Sequence, residues 1–164
     1  MFRIGDKIVH PMHGAGIVDG IVTRKVNGVL RDYYSLRLPV GDMVVMIPTE
    51  SCREIGVRAI LTGDQVEQIL CQIAGLEVAL EPNWNHRYRE NMLRLKSGDL
   101  MEVAKVVKSL MLRESRRGLS TGERKMLHSA KQILISEIVM AEQGEYKELE
   151  ARVDRAMMQL PLAQ

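Results

Sequence analysis

The sequence predicts an α+β chain in two domains: an antiparallel β-domain over residues 1–53, a linker over 54–61, and a compact all-α domain of about five helices over 62–164. Three observations predict it. Apolar residues follow short strand-like runs up to Pro48 and a helical i, i+3, i+4 period from Thr62 onward. Asn27-Gly28 stands between two β-branched runs, and both central residues of a type I′ hairpin turn need positive φ. Three capping-box patterns, Thr62 with Gln65, Asp99 with Glu102 and Ser120 with Glu123, each stand ahead of an apolar helical stripe.

In the first domain Gly5-Asp6 opens the run Ile8-Val9, which breaks at His10-Pro11-Met12-His13-Gly14. Gly16 to Val26 and Leu30 to Leu38 flank the Asn27-Gly28 turn, and a turn at Val40-Gly41-Asp42 leads into Met43 to Ile47. Several short strands in so few residues predict a small, bent antiparallel β-barrel of the Tudor or SH3-like kind. In the second domain Val66, Ile69, Leu70 and Ile73 make the first helical stripe. A second helix runs from Trp84 to Lys96 after Pro82-Asn83, and a third, with Val103, Val106, Val107 and Leu110, stops at Gly118. The fourth carries Leu127, Ala130, Leu134 and Ile138 up to Gly144, and the last carries Leu149, Val153, Ala156 and Leu160.

The chain of 164 residues is 46% hydrophobic but only 4% aromatic, with 11 methionines, so its core is aliphatic and adaptable. A formal net charge of +2 is too small to indicate nucleic acid by itself, so any DNA contact must use local charge. Such charge exists: Arg87, Arg89, Arg94 and Lys96 cluster on the Trp84 helix, and Arg113, Arg116, Arg117, Arg124 and Lys125 follow later. Cys52 and Cys71 lack metal-ligand spacing, and a reducing compartment is the simpler reading. The N-terminus lacks a signal-peptide pattern and no apolar run reaches membrane-spanning length, so a soluble cytoplasmic protein with no membrane partner is expected.

Catalytic signatures are weak. His10 and His13 could share a metal, but no third ligand follows at a recognisable spacing. Ser120-Thr121-Gly122-Glu123-Arg124-Lys125 lacks P-loop spacing and a preceding strand, and helix capping accounts for it. No nucleophile–base or paired-carboxylate constellation stands out, and no cofactor is implied.

Trp84 admits two readings. With Tyr88, Met92 and Leu95 it forms one helical stripe, which makes it the first core anchor. It also sits in a first turn, where backbone N–H groups attract phosphate and neighbouring arginines add to the pull. A large apolar ring in that setting suits a wedge between base steps. In the hairpin the turn sets Arg24 across from Arg31 and Lys25 across from Leu30. Either the facing arginines splay into water, or they form a basic docking edge for an acidic surface.

Four segments carry a resemblance: FRIGDKIVHPMHGAGIV at 2–18, LRLPVGDMVVMIP at 36–48, NWNHRYRENMLRLKSGD at 83–99 and RRGLSTGERKMLHSAKQILISE at 116–137. In order and spacing they resemble the CarD/CdnL family of bacterial transcription regulators, whose N-terminal module is shared with transcription-repair coupling factors. The coupling factors are far longer and carry helicase motifs that this chain lacks. The resemblance implies a Tudor-like domain that docks on the β subunit of RNA polymerase, with Arg24 at the interface; Arg31, facing it across the hairpin, is a further candidate for that contact. It also implies a helical domain that meets promoter DNA at the upstream edge of the transcription bubble. There Trp84 would wedge into the minor groove, with Arg87, Arg89 and Arg124 on phosphates; Lys125, next to Arg124, is a further candidate DNA contact. Met46 stands where some relatives place a second interface arginine, and His86 where relatives often have arginine, so both contacts are remodelled here. A monomer is expected. A polymerase-bound adaptor without DNA contact is the second reading of the same features, and a metal-dependent enzyme built on His10 and His13 the third.

Overall fold

The structure is a computed structural model that describes residues 1–40, 42–78 and 81–158. The described residues of the first half form the strands β1 (Lys7–His10), β2 (Gly14–Val26), β3 (Val29–Leu38), β4 (Met43–Pro48) and β5 (Arg58–Ala59), with a short helix α1 (Cys52–Ile55) between the last two. They make a five-stranded antiparallel sheet in the order β4-β3-β2-β1-β5. The hairpin forms in the register its turn requires. Asn27 and Gly28 have φ of 51° and 80°, and Arg24 lies opposite Arg31 and Lys25 opposite Leu30. Gly41, in the expected second turn, lies outside the described residues.

Period-two alternation sorts the sheet into two faces. Tyr34, Leu36, Leu38 and Ile47 point inward and pack with Ile8, Val18, Cys52 and Val57. The register between β2 and β3 slips between Val18 and Gly20, and such a bulge bends a strand across its own core. The N-terminal segment covers one end: Phe2 donates its backbone N–H to the Tyr34 hydroxyl at 3.1 Å, and their rings meet edge to face.

Residues 54–61, expected as a linker, belong in part to the sheet. Arg58 and Ala59 pair with Val9 and Ile8 of β1, Val57 is buried, and Ile60 donates its N–H to the Lys7 carbonyl. A two-residue strand shows no alternation in a sequence, so only the pairing reveals it.

Among the described residues the second half holds five helices: α2 (Gly63–Ala74), α3 (Trp84–Lys96), α4 (Leu100–Arg117), α5 (Thr121–Glu142) and α6 (Tyr146–Met158). Leu160, expected on the last helix, lies outside the described residues. Each apolar stripe read from the sequence enters one common core. The caps differ in detail. Thr62 and Gln65 close a full capping box. Asp99 accepts from the Met101 N–H while Glu102 turns to Lys105 and Arg94. Lys108, buried on α4, donates to the carbonyls of Ile73 and Ala74 at 2.7 and 3.2 Å. It thereby closes the C-terminal end of α2, whose own last turn has no basic residue.

Helix α5 joins the halves. Residues 133–138 are buried on every side. Leu134 and Ile138 face the helical core, while Ser136 Oγ accepts the Ala15 N–H at 3.0 Å from the β side. Gly14 makes that approach possible, since a Cβ there would lie 2.6 Å from Ser136 Oγ. Beside it, Glu137 is fully buried and takes both terminal nitrogens of Arg58 at 2.7 Å and the Leu61 N–H at 2.9 Å. Among the described residues no helix is long and apolar enough to cross a membrane.

Candidate nucleic-acid interface

Two helix N-termini meet at the far end of the helical half. Asn83 caps α3, its side-chain oxygen accepting the His86 N–H at 3.0 Å, and Ser120 caps α5, accepting the Glu123 N–H at 3.2 Å. Each first turn leaves further backbone N–H groups without a helical acceptor, so the positive ends of two macrodipoles lie side by side.

Trp84 stands between them. Its ring stacks on Tyr88 with centroids 5.1 Å apart and planes 20° from parallel, and its indole N–H donates to Ser120 Oγ at 3.2 Å. The residue nevertheless remains 44% exposed. The core-anchor reading therefore holds for part of the stripe only. Leu95 is buried and Met92 and Tyr88 pack against the core, whereas Trp84 lies one turn beyond, where the core ends.

Arg87 is placed differently from the expectation that it meets phosphate. It is only 7% exposed, and its guanidinium is already occupied. Nε and Nη2 donate to the two carboxylate oxygens of Glu123 at 2.8 and 3.1 Å, and Nη1 donates to the carbonyls of Glu81 and Pro82 at 2.8 and 3.3 Å. Three residues past Trp84 the side chain turns toward α5, and its charge is neutralised there. Burial by itself would raise the Glu123 carboxyl, but the Arg87 hydrogen bonds and charge, with those of Ser120, hold it below the ordinary glutamate range.

Ser120 and Glu123 are the residues that sequence reasoning undervalued. The cap bond from Ser120 to the Glu123 N–H forms, but the Glu123 side chain does not return to the Ser120 backbone. It accepts from the Ser120 hydroxyl at 3.2 Å and binds Arg87 instead. Only the packing of α3 against α5 could reveal that diversion. His86, Arg89, Arg124 and Lys125 are exposed around this junction, and none of them joins an ion pair among the described residues.

The other expected surface lies on the sheet. The register sets Arg24 opposite Arg31 and Met46 opposite Ser35, and period-two spacing puts all four, with Tyr33, on the outward face. Both arginines are exposed and Met46 is half-buried. Val29 and Leu30 at the hairpin tip and Val44 on β4 add exposed apolar surface beside them.

The His10 and His13 rings lie 4.6 Å apart, and His10 Nδ1 accepts the Met12 N–H at 3.1 Å. Burial and then the neighbouring His13 lower the His10 pKa to about 4. Among the described residues no group of three or more His, Cys, Asp or Glu could hold a metal. Cys52 and Cys71 are both free thiols.

Residues 2–61 match the family model described as CarD-like/TRCF RID domain, and residues 68–154 match CarD, C-terminal domain. The chain is 36% identical over 138 residues to the Bacillus subtilis (strain 168) protein named "Putative transcription factor YdeB", across 84% of this chain and 90% of that one. The chain belongs to the CarD family of bacterial transcription regulators. The CarD N-terminal match runs to Leu61 and so takes in α1 and β5, in agreement with the pairing of β5 to β1. Trp84, Arg87, Ser120 and Glu123 all fall inside the CarD C-terminal match.

Proposed function

We propose that this CarD-family chain docks on the β subunit of RNA polymerase and stabilises the open promoter complex by wedging Trp84 into the minor groove at the upstream edge of the bubble. The observation that carries this reading is Trp84 itself. A large, half-exposed ring stands at two adjoining helix N-termini, and on the same two helices Arg89, Arg124 and Lys125 are exposed without ion-pair partners among the described residues. Such a ring unstacks a base step, and the N-termini and cations bind the flanking phosphates. The phosphate contacts are Arg89, Arg124, Lys125 and His86, where an imidazole in place of a guanidinium gives the weaker grip. Arg87 leaves that set because it is buried and paired.

The docking surface is the outward face of β2, β3 and β4, with Arg24 and Arg31 facing an acidic partner and Met46 giving an apolar contact where some relatives place an arginine. This places two like charges directly across a hairpin, an arrangement that a bound acidic surface relieves. The protein acts as a monomer in the cytoplasm, without cofactor or catalysis. Docking makes the DNA contact intramolecular, so a chain of net charge +2 needs little DNA affinity of its own. It favours the open complex only by binding melted DNA better than duplex.

The test is open-complex lifetime on a promoter after competitor challenge, with wild type and Trp84→Ala. Shortened lifetime with unchanged polymerase binding is expected. An unchanged lifetime sinks the wedge and leaves a polymerase adaptor without DNA contact.

A further inference from the structure

We infer that Ser120, Glu123 and Arg87 form a positioning relay that holds the Trp84 indole in its working pose, an inference that rests on Trp84 being the DNA-facing group. The relay is a chain of hydrogen bonds that the backbone between Pro82 and Trp84 closes into a ring. The Glu81 and Pro82 carbonyls receive Arg87 Nη1, Arg87 grips both oxygens of Glu123, Glu123 accepts from the Ser120 hydroxyl, and Ser120 accepts from the Trp84 indole. Trp84 follows Pro82 by two residues, so the ring returns to where it began.

The donor inventory makes the direction of each bond definite. A serine hydroxyl has one proton and two lone pairs. Glu123 is a carboxylate that Arg87 holds ionised, so it can only accept, and the Ser120 proton points at it. Both lone pairs of Ser120 are then left for two donors, the Glu123 backbone N–H and the Trp84 indole N–H. Donating to a carboxylate polarises the hydroxyl and makes its oxygen a better acceptor for the indole. Without Glu123 that proton is free to rotate toward water or a carbonyl, and the indole loses a defined acceptor.

Tyr88 fixes the plane of the indole from below, and Ser120 fixes its rotation within that plane. A half-exposed tryptophan with neither restraint samples several rotamers, each of which must be given up on insertion between bases. The relay removes that entropy before DNA arrives. It also explains how a carboxylate can sit in the middle of a phosphate-facing site: Glu123 is 2% exposed and neutralised by Arg87, so it presents no charge to DNA. Arg87 is thus a positioning residue that acts through Glu123 and Ser120.

The experiment uses the fact that the chain has one tryptophan, so intrinsic fluorescence reports on Trp84 alone. Ser120→Ala, Ser120→Thr, Glu123→Gln and Trp84→Ala are compared in the full chain by helical circular dichroism, polymerase binding and open-complex lifetime. Nanosecond anisotropy decay is read on the three variants that keep the tryptophan. Expected is a larger fast component for Ser120→Ala and Glu123→Gln, with open-complex lifetime shortened roughly three- to tenfold, the worth of one hydrogen bond. Ser120→Thr restores both, with circular dichroism and polymerase binding unchanged throughout. If Glu123→Gln fails to fold because Arg87 is left buried, the two Ser120 variants decide the question alone. A fast component unchanged in Ser120→Ala overturns the relay. So does a larger fast component with unaltered lifetime, provided Trp84→Ala shortens it. If Trp84→Ala leaves the lifetime unaltered, the wedge falls instead, and the anisotropy still decides whether the relay sets the indole's pose.

Discussion

Helix α5 carries two buried carboxylates, each gripped by an arginine fork, and they serve different parts of the molecule. Glu123, in the first turn, takes Arg87 from the neighbouring helix beside Trp84. Glu137 takes Arg58 from the edge strand β5, where the sheet meets the helices. About four turns separate them, roughly 21 Å at the rise of an α-helix. Both pairs satisfy every oxygen of a carboxylate that would otherwise be costly to bury. What differs is the remaining partner. Glu137 spends its third bond on the Leu61 backbone N–H and so ties the chain between the halves, whereas Glu123 spends its own on the Ser120 hydroxyl and so reaches an exposed ring. The same ion-pair chemistry builds a joint in one place and aims a side chain in the other.

Breaking the joint has the largest expected effect. Glu137→Ala leaves Arg58 short of its partner at the junction and removes the acceptor of the Leu61 N–H, a loss of about 3 kcal/mol or more. Urea unfolding followed by circular dichroism measures it, while Trp84 anisotropy in the folded variant stays as in wild type. A loss below about 1 kcal/mol would show that the halves are held by apolar contact alone.

The aiming pair gives a smaller, pH-dependent signal. Glu123→Gln is expected to cost about 1–3 kcal/mol, the penalty for one unsatisfied buried group. The Glu123 pKa is depressed in the fold, so its contribution is complete above the ordinary value of 4.5 and is lost as pH falls through the lower folded value. Stability curves of wild type and Glu123→Gln should therefore converge in that acid range. Parallel curves would show that the carboxylate charge contributes nothing.

The smallest effect on stability is expected at the docking face. Arg24→Ala or Arg31→Ala removes one of two facing like charges that are both exposed, and unfolding midpoints should move by no more than about 0.5 kcal/mol, if anything upward. Binding to polymerase should fall in the same variants, and unchanged binding would remove this face from the proposed interface.

Much of the fold was legible because its signals are local. Asn27-Gly28 sets the hairpin register residue by residue, and Thr62, Asn83, Asp99 and Ser120 mark four helix starts, since a turn or cap is decided within a few residues. The two-residue strand β5 was not legible, because it is defined by pairing with β1 across fifty residues of chain.

By itself the sequence determined the longer strands and the five helices of the second half, their order, the hairpin register, and that Trp84 begins a basic helix. Only the tertiary structure decided which charges face water. Arg87 and Arg89 look alike in the chain, yet one is buried on Glu123 and the other is exposed. Glu123 reads as a capping-box residue and Glu137 as an ordinary helix glutamate until α3 and β5 pack against α5. The reason is range: caps and turns are settled by neighbours along the chain, whereas a buried ion pair needs a partner that only helix and strand packing can deliver.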